Sequence, residues 1–291
     1  MTSLGDSMTS LGSSPPTLVG VLREPEYSPG RVDDDAGILE CTRDALATRG
    51  FTMTVGSVDL LTKAAPSAVL AMCQSSRSLA ALDRLATTLP VMNTPDAIRA
   101  CYRHETVPRL TRAGVPFPAT RMVATDDAPA AVADMAPCWV KRGDVHAMTG
   151  DDVVFADSPA EVRAVLARFA GRGIARAAVQ AHVDGIVVKF YGVADGRFFR
   201  CYTDRAEIPA PIPVLWKAAH AGATALGLDV FGGDLVVDTE GRPMIVDVND
   251  WPSFARCRDE AADAIAGYVV DRLADAWQSA TGRPHTQGSH G

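Results

Sequence analysis

Lysine is scarce in this sequence, with four residues among 28 basic ones, and the net charge is −7. A chain without a basic surplus lacks the electrostatic footprint of a nucleic-acid-binding protein, so nucleic acid is not an expected partner. No apolar run approaches the roughly 20 residues that a membrane-spanning helix requires, and no basic-then-apolar signal pattern opens the chain. These shortages predict a cytoplasmic protein that does not engage a membrane.

Paired cysteines are missing as well. None of the six cysteines belongs to a CxxC motif, and several stand inside apolar runs, so neither a zinc site nor a disulfide framework is expected. The 291 residues are enough for two or three lobes. The composition, with 47% hydrophobic and 22% charged residues, is ordinary for a globular protein. Such a composition is compatible with a homodimer as well as with a monomer.

Two of the four lysines, Lys141 and Lys189, fall in or at the end of predicted strands. A compact ammonium group on a flexible stem suits contact with phosphate as a point charge. A lysine in a strand also reaches solvent readily. Both interpretations stay open on the residues alone.

The stretch 231–254, FGGDLVVDTEGRPMIVDVNDWPSF, predicts two strands joined by a turn at Gly241. Side chains two apart on a strand share a face, so Asp247 and Asn249 should lie side by side, and Asp234 should open the partner strand. Two carboxylates and an amide oxygen are ligands that Mg²⁺ takes. A solvated acidic turn is the alternative, but burying Asp247 in an apolar strand is costly without a partner or a metal.

Residues 17–93 contain strand-like and helix-like segments in alternation, which predicts a small parallel α/β lobe. A helix should follow from Thr94, with Arg99 and Arg103 on one face and a kink or a restart at Pro108. The predicted fold class is therefore α/β with α+β character.

The order of the segments resembles the ATP-grasp superfamily across residues 93–271, including its glutathione-synthetase-like and ribosomal-protein-glutamate-ligase-like members. VDVNDWPSF is similar also to the inositol phosphate kinases of the same fold. The segments that carry the resemblance are NTPDAIRACYRHETVPRLTRAGVPFPAT, CWVKRGD, AVQAHVDG, IVVKFYGV, LDVFGGDLVVD and GRPMIVDVNDWPSF.

The resemblance implies an N-terminal lobe followed by two lobes that clamp ATP between antiparallel sheets. The predicted boundaries are an N-terminal lobe 17–93, a linking helix and connector 94–118, a small lobe 119–183 and a C-terminal lobe 184–280. The composition of the two ends predicts a disordered 1–16 and a disordered tail 281–291.

The resemblance also implies roles for individual residues. The counterpart of Lys141 contacts phosphates, and Arg103 and Lys189 are further candidates for binding the nucleotide, with Lys189 placed at the phosphates. The counterparts of Gln180, Ala181 and His182 form the adenine hinge, and that of Asp184 binds ribose. Those of Asp234, Asp247 and Asn249 hold Mg²⁺, with Mn²⁺ as an alternative. Many members carry Glu where Asp247 and Asp184 stand, which shortens the reach to metal and ribose here.

The implied activity is an ATP- and Mg²⁺-dependent ligase that joins a small-molecule or peptide carboxylate to an amine, or to a thiol, through an acyl phosphate. Lys189 and Arg200 are the candidate catalytic residues, and Arg256, Arg258 and His146 are the candidate substrate contacts. A kinase acting on a hydroxyl group is the alternative, and its acceptor pocket would draw on Arg99, Arg103, Arg142, His146 and Arg258. A nucleotide-binding regulator without turnover is a third possibility.

Overall fold

Three four-stranded sheets form the framework of the protein. The computed structural model describes residues 16–126, 132–145 and 147–281. The predicted disordered ends lie outside these residues except for Pro16 and Thr281, and His146 lies outside them as well. The predicted mixed α/β class is confirmed.

The first sheet is parallel throughout, as the alternation of strands and helices predicts. Its spatial order is second, first, third and fourth strand. The strands are β1 (Thr17–Val21), β2 (Thr52–Gly56), β3 (Ala68–Ala71) and β4 (Val91–Met92). The crossovers contain the helices α1 (Val32–Ala47) and α2 (Ser76–Leu85).

Two short helices follow, α3 (Pro95–Ala100) and α4 (Arg103–Arg112). The predicted restart at Pro108 is wrong, because Pro108 lies inside α4. The two helices are instead separated by Cys101 and Tyr102. The hydroxyl group of Thr106 donates to the carbonyl of Ala100 at 2.7 Å and so satisfies an acceptor that the break exposes. Arg103 consequently stands in the first turn of α4.

The second sheet is antiparallel, with the spatial order β5, β8, β6, β7. Its strands are β5 (Thr120–Ala124), β6 (Cys138–Arg142), β7 (Val153–Ala156) and β8 (Arg176–Ala181), and α5 (Pro159–Gly171) lies between the last two. Cys138 and Val140 pack in a core with Val165 of α5. Alternation therefore places Trp139 and Lys141 on the opposite face of the sheet.

The third sheet is also antiparallel, with the spatial order β10, β9, β11, β12. Its strands are β9 (Ile186–Val193), β10 (Phe199–Tyr202), β11 (Val230–Val237) and β12 (Pro243–Asp250), with α6 (Ile212–Leu226) between the middle pair. Val188 and Phe190 pack in a core with Leu215 of α6. Lys189 and Tyr191 therefore lie on the face that α6 leaves open.

The turn between β11 and β12 is the one that the sequence predicts. Gly241 has a φ of 78°, which glycine adopts without the penalty that a Cβ atom brings. The backbone N–H of Asp238 donates to the carbonyl of Arg242 at 3.1 Å and closes the turn.

The last helix, α7 (Arg258–Thr281), packs against α1. The chain divides into one compact unit with residues up to 24, 32–95 and those from 253, and a second with residues 25–31 and 96–252. The predicted boundaries instead group α7 with the lobe 184–280. The difference arises because α7 buries its apolar face on a helix that lies far away in the sequence.

Two further findings concern long apolar helices and disulfide bonds. Within the described residues, none of the helices combines the length and apolar character that crossing a bilayer requires. All six cysteines are described, and no disulfide joins any of them.

Candidate active site

A row of charged residues crosses the open face of the third sheet. Asp234 on β11 is paired with Lys189 on β9 and with Asp247 on β12. The ammonium group of Lys189 lies 3.0 Å from Oδ1 of Asp234. Nδ2 of Asn249 donates to Oδ2 of Asp247 at 3.1 Å, so the structure brings all three predicted metal ligands together. The row is an ordered set of oxygen and nitrogen groups on one face.

A β-bulge lies beside this row. The register of β11 and β12 shifts by one residue after Asp234 and Asp247, which leaves Val246 without a partner on β11. The carbonyl of Val246 accepts a hydrogen bond from Nζ of Lys141 at 2.9 Å. Lys141, on the open face of the second sheet, is thereby joined to the strand that carries the acidic residues.

Arg103 makes a second connection to the same strand. Its Nη2 lies 3.3 Å from Oδ1 of Asp247, and its Nη1 donates to the carbonyl of Arg142 at 3.1 Å. The Arg103 side chain is buried. It therefore provides a fixed positive charge beside a carboxylate, and one that is held in place from two sides.

The charges in this cluster shift one another's protonation. Burial raises the pKa of the Asp234 carboxyl, and Asp247 adds to the rise against the opposing effect of Lys189. Burial acts on Asp247 in the same direction, but Arg103 and Lys141 outweigh it and hold the pKa of that carboxyl below its ordinary value. Burial, with a contribution from Arg103, lowers the pKa of the Lys141 ammonium to about 8. Lys141 therefore exchanges its proton close to neutral pH.

The donor set fits a hard divalent cation. Asp234 and Asp247 face each other across neighbouring strands, and Asn249 adds an amide oxygen on the same face. Mg²⁺ takes carboxylate and carbonyl oxygens and completes its shell with water and phosphate. Within the described residues there is no group of three His, Cys, Asp or Glu placed to hold a metal ion. The predicted set has two carboxylates, so the third protein ligand would be the amide.

The strand β11 begins at Val230, four residues before its predicted start at Asp234. Gly232 and Gly233 form regular pairs within it, and the register shift lies beyond them, at Val246 of β12. A Cβ atom on Gly233 would overlap the carbonyl oxygen of Asp247. The glycine is therefore required by the close approach of β12, which is a common reason for glycine inside a strand.

Strained backbone follows the acidic strand. Trp251 has a φ of 36° and Phe254 a φ of 50°, and both side chains are fully buried. Positive φ is rare for bulky residues. Such strain persists only where the surroundings fix it, and it is frequent at functional sites. The motif WPSF, which the sequence singles out, is the part of the chain that carries this strain.

The predicted adenine hinge lies at the end of β8. Gln180 is buried, but the backbone N–H of Ala181 donates to Ala119 at 2.8 Å and that of His182 donates to Pro137 at 3.0 Å. These two N–H groups are therefore used inside the protein. A base that binds here would have to take its backbone donor from another residue.

Arg200 lies on the open face of the third sheet. It is paired with Tyr191 on β9, two residues from Lys189, so these three side chains share a face. Its Nη1 donates to the carbonyl of Phe199 at 3.0 Å. The sequence reasoning missed Tyr191 and its ring neighbour Tyr202 at 5.9 Å, although the period of two from Lys189 was a usable signal.

A narrow pocket opens between the second and third sheets. It brings three predicted nucleotide-binding residues, Arg103, Lys141 and Gln180, to one place with the metal-ligand candidate Asp247. The other residues that line the pocket are Thr106, Val107, Phe117, Thr120, Ala178 and Val246.

The predicted substrate contacts are not part of this pocket. Arg258 begins α7, and its Nη2 lies 3.3 Å from Oδ1 of Asp34 near the start of α1. Arg256 precedes α7 and is exposed. Both belong to the first unit, and their role stays a prediction. His146 lies outside the described residues.

No protein-family profile matches the sequence, and no curated protein matches it. Solved structures do match it. The D-alanine–D-alanine ligase from Bacillus anthracis, complexed with ATP, has a TM-score of 0.68 and 14% identity, covering 94% of this chain and 100% of that one. The RimK domain protein ATP-grasp from Sphaerobacter thermophilus has a TM-score of 0.64 and 20% identity, covering 87% and 99%.

A third similar structure is the ATP-grasp ligase PsnB complexed with a precursor peptide and AMPPNP, with a TM-score of 0.62 and 16% identity, covering 90% of this chain and 99% of that one. Likeness at such identities concerns the fold, and it spans nearly the full length of each of the three proteins. The resemblance read from the sequence is confirmed at that level, and the chain has the ATP-grasp fold.

Proposed function

We propose that this chain is an ATP- and Mg²⁺-dependent ligase that joins the carboxylate of a small molecule or peptide to an amine. Two kinds of observation support the proposal. The solved structures that share the fold include a D-alanine–D-alanine ligase complexed with ATP and a ligase complexed with a precursor peptide. The open faces of two sheets carry a set of charges suited to a triphosphate.

The observation that carries the proposal is the row of Lys189, Asp234 and Asp247 next to the buried Lys141. A phosphoryl transfer site needs positive groups fixed around the transferred phosphate and acidic groups for a cation. The row supplies both, and its member Asp247 lines the pocket together with Lys141. An acidic turn exposed to solvent would have no need of a buried arginine and a buried lysine.

The chain's residues would act by position and charge. Lys141 and Lys189 would hold the phosphates, and Asp234, Asp247 and Asn249 would hold Mg²⁺. The cation, when bound, supplies neutralisation of charge on the β- and γ-phosphates. Arg103 would keep Asp247 oriented and ionised.

The reaction would have two steps. In the first, a carboxylate oxygen of the acid forms a bond to the γ-phosphorus, the bond from that phosphorus to the β–γ bridging oxygen breaks, and ADP leaves. In the second, the amine nitrogen bonds to the acyl carbon, the bond from carbon to the phosphate oxygen breaks, and the nitrogen loses a proton. Arg200 would stabilise the charge on the acyl phosphate.

Hydroxylamine trapping tests the first step without knowledge of the natural amine. The protein is incubated with Mg²⁺–ATP, hydroxylamine and a panel of amino acids and short peptides, and the hydroxamate and the ADP are measured. We expect an acid that yields both products in equal amounts. The variant Asp247→Asn should lose both products, whereas Glu240→Gln, an exposed acid in the same hairpin, should keep them.

ADP formed together with a phosphorylated alcohol, and without hydroxamate, would replace the ligase by a kinase of the same fold. Nucleotide binding without turnover under every condition would identify a regulator. Either result contradicts the proposal, and the two are separated by mass spectrometry of the acceptor.

A further inference from the structure

The end of β8 carries a chain of hydrogen bonds that starts at an indole ring. Nε1 of Trp139 donates to Nδ1 of His182 at 3.1 Å. Nε2 of His182 lies 3.2 Å from Oδ1 of Asp184. Trp139, His182 and Asp184 thus form a line from the half-buried face of the second sheet to a carboxylate that is 95% exposed.

The direction of these bonds is fixed by chemistry. An indole N–H is a donor only, so Nδ1 of His182 must accept and carries no hydrogen. The neutral ring then has its hydrogen on Nε2 and donates it to the carboxylate of Asp184. The tautomer follows from Trp139, and an imidazole ring turned by 180° would lose both bonds.

Packing holds the imidazole ring in this orientation. Phe155 lies edge-on to both neighbours, with ring centroids 5.2 Å from Trp139 and 5.3 Å from His182. Phe155 is paired with Trp139 across β6 and β7, so the backbone fixes their spacing. Asp184 is the exposed member of the line, and within the described residues its carboxylate pairs with the ring of His182.

We propose that Trp139 and His182 form a relay that positions the carboxylate of Asp184 to bind the ribose hydroxyl groups of the nucleotide. This inference rests on the proposed function, since it assumes that ATP is the nucleotide and takes Asp184 as its ribose contact. An exposed aspartate on its own samples several rotamers, and ordering it on binding costs conformational entropy. A carboxylate held at Oδ1 keeps Oδ2 available for a hydroxyl group at lower entropic cost.

The relay makes Trp139 and His182 positioning residues for nucleotide selection. Substitution of Trp139 or His182 should affect the binding of the sugar, because the phosphates would contact other residues. A loss of the relay should weaken the binding of a nucleotide that has ribose hydroxyl groups and leave unchanged the binding of one that lacks them.

Titration calorimetry with Mg²⁺–ATP and with Mg²⁺–2′,3′-dideoxyATP tests this. We expect the wild-type protein to bind ATP about tenfold tighter, since each hydroxyl group would donate to a charged acceptor. Trp139→Phe keeps an aromatic ring and removes the N–H donor. The ratio of the two affinities should fall to about threefold, because an exposed charged pair contributes little energy. Asp184→Ala, a change at an exposed site, should bring the ratio close to one.

Phe155→Leu is the matched control, because it removes a ring contact and no hydrogen bond. It should change the affinity for both nucleotides by the same factor. Nitrogen NMR of the histidine rings gives an independent readout, in which wild-type His182 should show a hydrogen on Nε2 and none on Nδ1.

Two results overturn the relay while leaving the proposed function intact: an unchanged affinity ratio in both Trp139→Phe and Asp184→Ala, or a wild-type His182 with its hydrogen on Nδ1. Failure of the wild-type protein to bind either nucleotide overturns the relay together with the proposed function.

Discussion

The ammonium group of Lys141 is hydrogen-bonded to the carbonyl of Val246, the residue of β12 that the register shift leaves unpaired with β11. β12 is the edge strand of the third sheet, so only part of its carbonyls bond to β11. The residue that a bulge leaves unpaired lies outside the ladder, and its carbonyl here accepts a hydrogen bond from a side chain of another sheet. One irregularity of pairing therefore sets the position of a charge in the candidate nucleotide pocket.

This position leads to a pH prediction. The pKa of Lys141 is about 8 because the group is buried and lies near Arg103. Above that pH the free protein holds a neutral amine, which attracts phosphate weakly. We expect kcat/KM for ATP to decline above about pH 8. In Lys141→Arg the charge persists, so the decline should disappear even if the maximal rate is lower.

A pH–rate profile of both proteins checks this prediction, with Lys217→Arg as the control for a lysine on the helix α6. An identical alkaline decline in the wild type and in Lys141→Arg would assign the titration to another group.

Arg103 should control the acid stability of the protein. Because Arg103 and Lys141 hold the folded pKa of Asp247 below its ordinary value, this carboxylate contributes stability that is complete above its unfolded pKa of about 3.9 and is lost as the pH falls through the folded value. Arg103→Met removes the larger of the two effects that lower the pKa of Asp247. The folded pKa of Asp247 should rise, and the loss of stability should begin at a higher pH.

Urea unfolding at a series of pH values between about 3 and 7 measures the effect. Arg109→Met is the control, since Arg109 is on the same helix and pairs with the exposed Asp96. Parallel stability curves for Arg103→Met and the wild type would contradict the electrostatic role of Arg103.

Removal of the Asp247 carboxylate should impair turnover much more than folding. Asp247→Asn keeps the volume of the side chain and removes the charge. A bound metal ion is worth several kcal/mol of transition-state stabilisation, and about 1.4 kcal/mol corresponds to tenfold in rate. We therefore expect ATP consumption to fall by about 100-fold or more, with the unfolding transition still cooperative.

Excess Mn²⁺ provides a second measurement on the same variant, because a metal that binds nitrogen and oxygen ligands more strongly should restore part of the activity. Retention of normal ATP turnover by folded Asp247→Asn would show that this residue holds no metal.

Gly233→Ala should damage the hairpin. The added methyl group would overlap the carbonyl of Asp247 and approach the ring of Phe190 to 2.8 Å. Overpacking of this kind typically costs about 1–3 kcal/mol. Gly150→Ala is the matched control, because a Cβ atom there meets nothing within 4 Å. Thermal melting compares the two, and equal melting temperatures would contradict the close packing of β11 on β12.

The sequence was sufficient for the parts of the site that depend on local periodicity. The period of two along β12 placed Asp247 and Asn249 on one face, and the structure joins their side chains by a hydrogen bond. The glycine turn at Gly241 was equally predictable, because few residues other than glycine adopt its φ. These features need information from only a few neighbouring residues.

Other features depend on partners that are distant in the sequence, and there local reasoning failed. The bulge at Val246 is defined by the pairing of β12 with β11, so the residues of β12 alone do not show it. The helix break before Arg103 is stabilised by the hydroxyl group of Thr106, whereas the nearby proline suggested a different place. No local pattern showed that α7 packs on α1, since that contact joins opposite ends of the chain.

The return of α7 to the first unit has a consequence for synthesis on the ribosome. Residues 96–252 have all emerged before the helix that completes the first unit, so the second unit can fold while the first still lacks α7. Until α7 is synthesised, the apolar face of α1 stays exposed, and chaperones that recognise nascent chains should bind there.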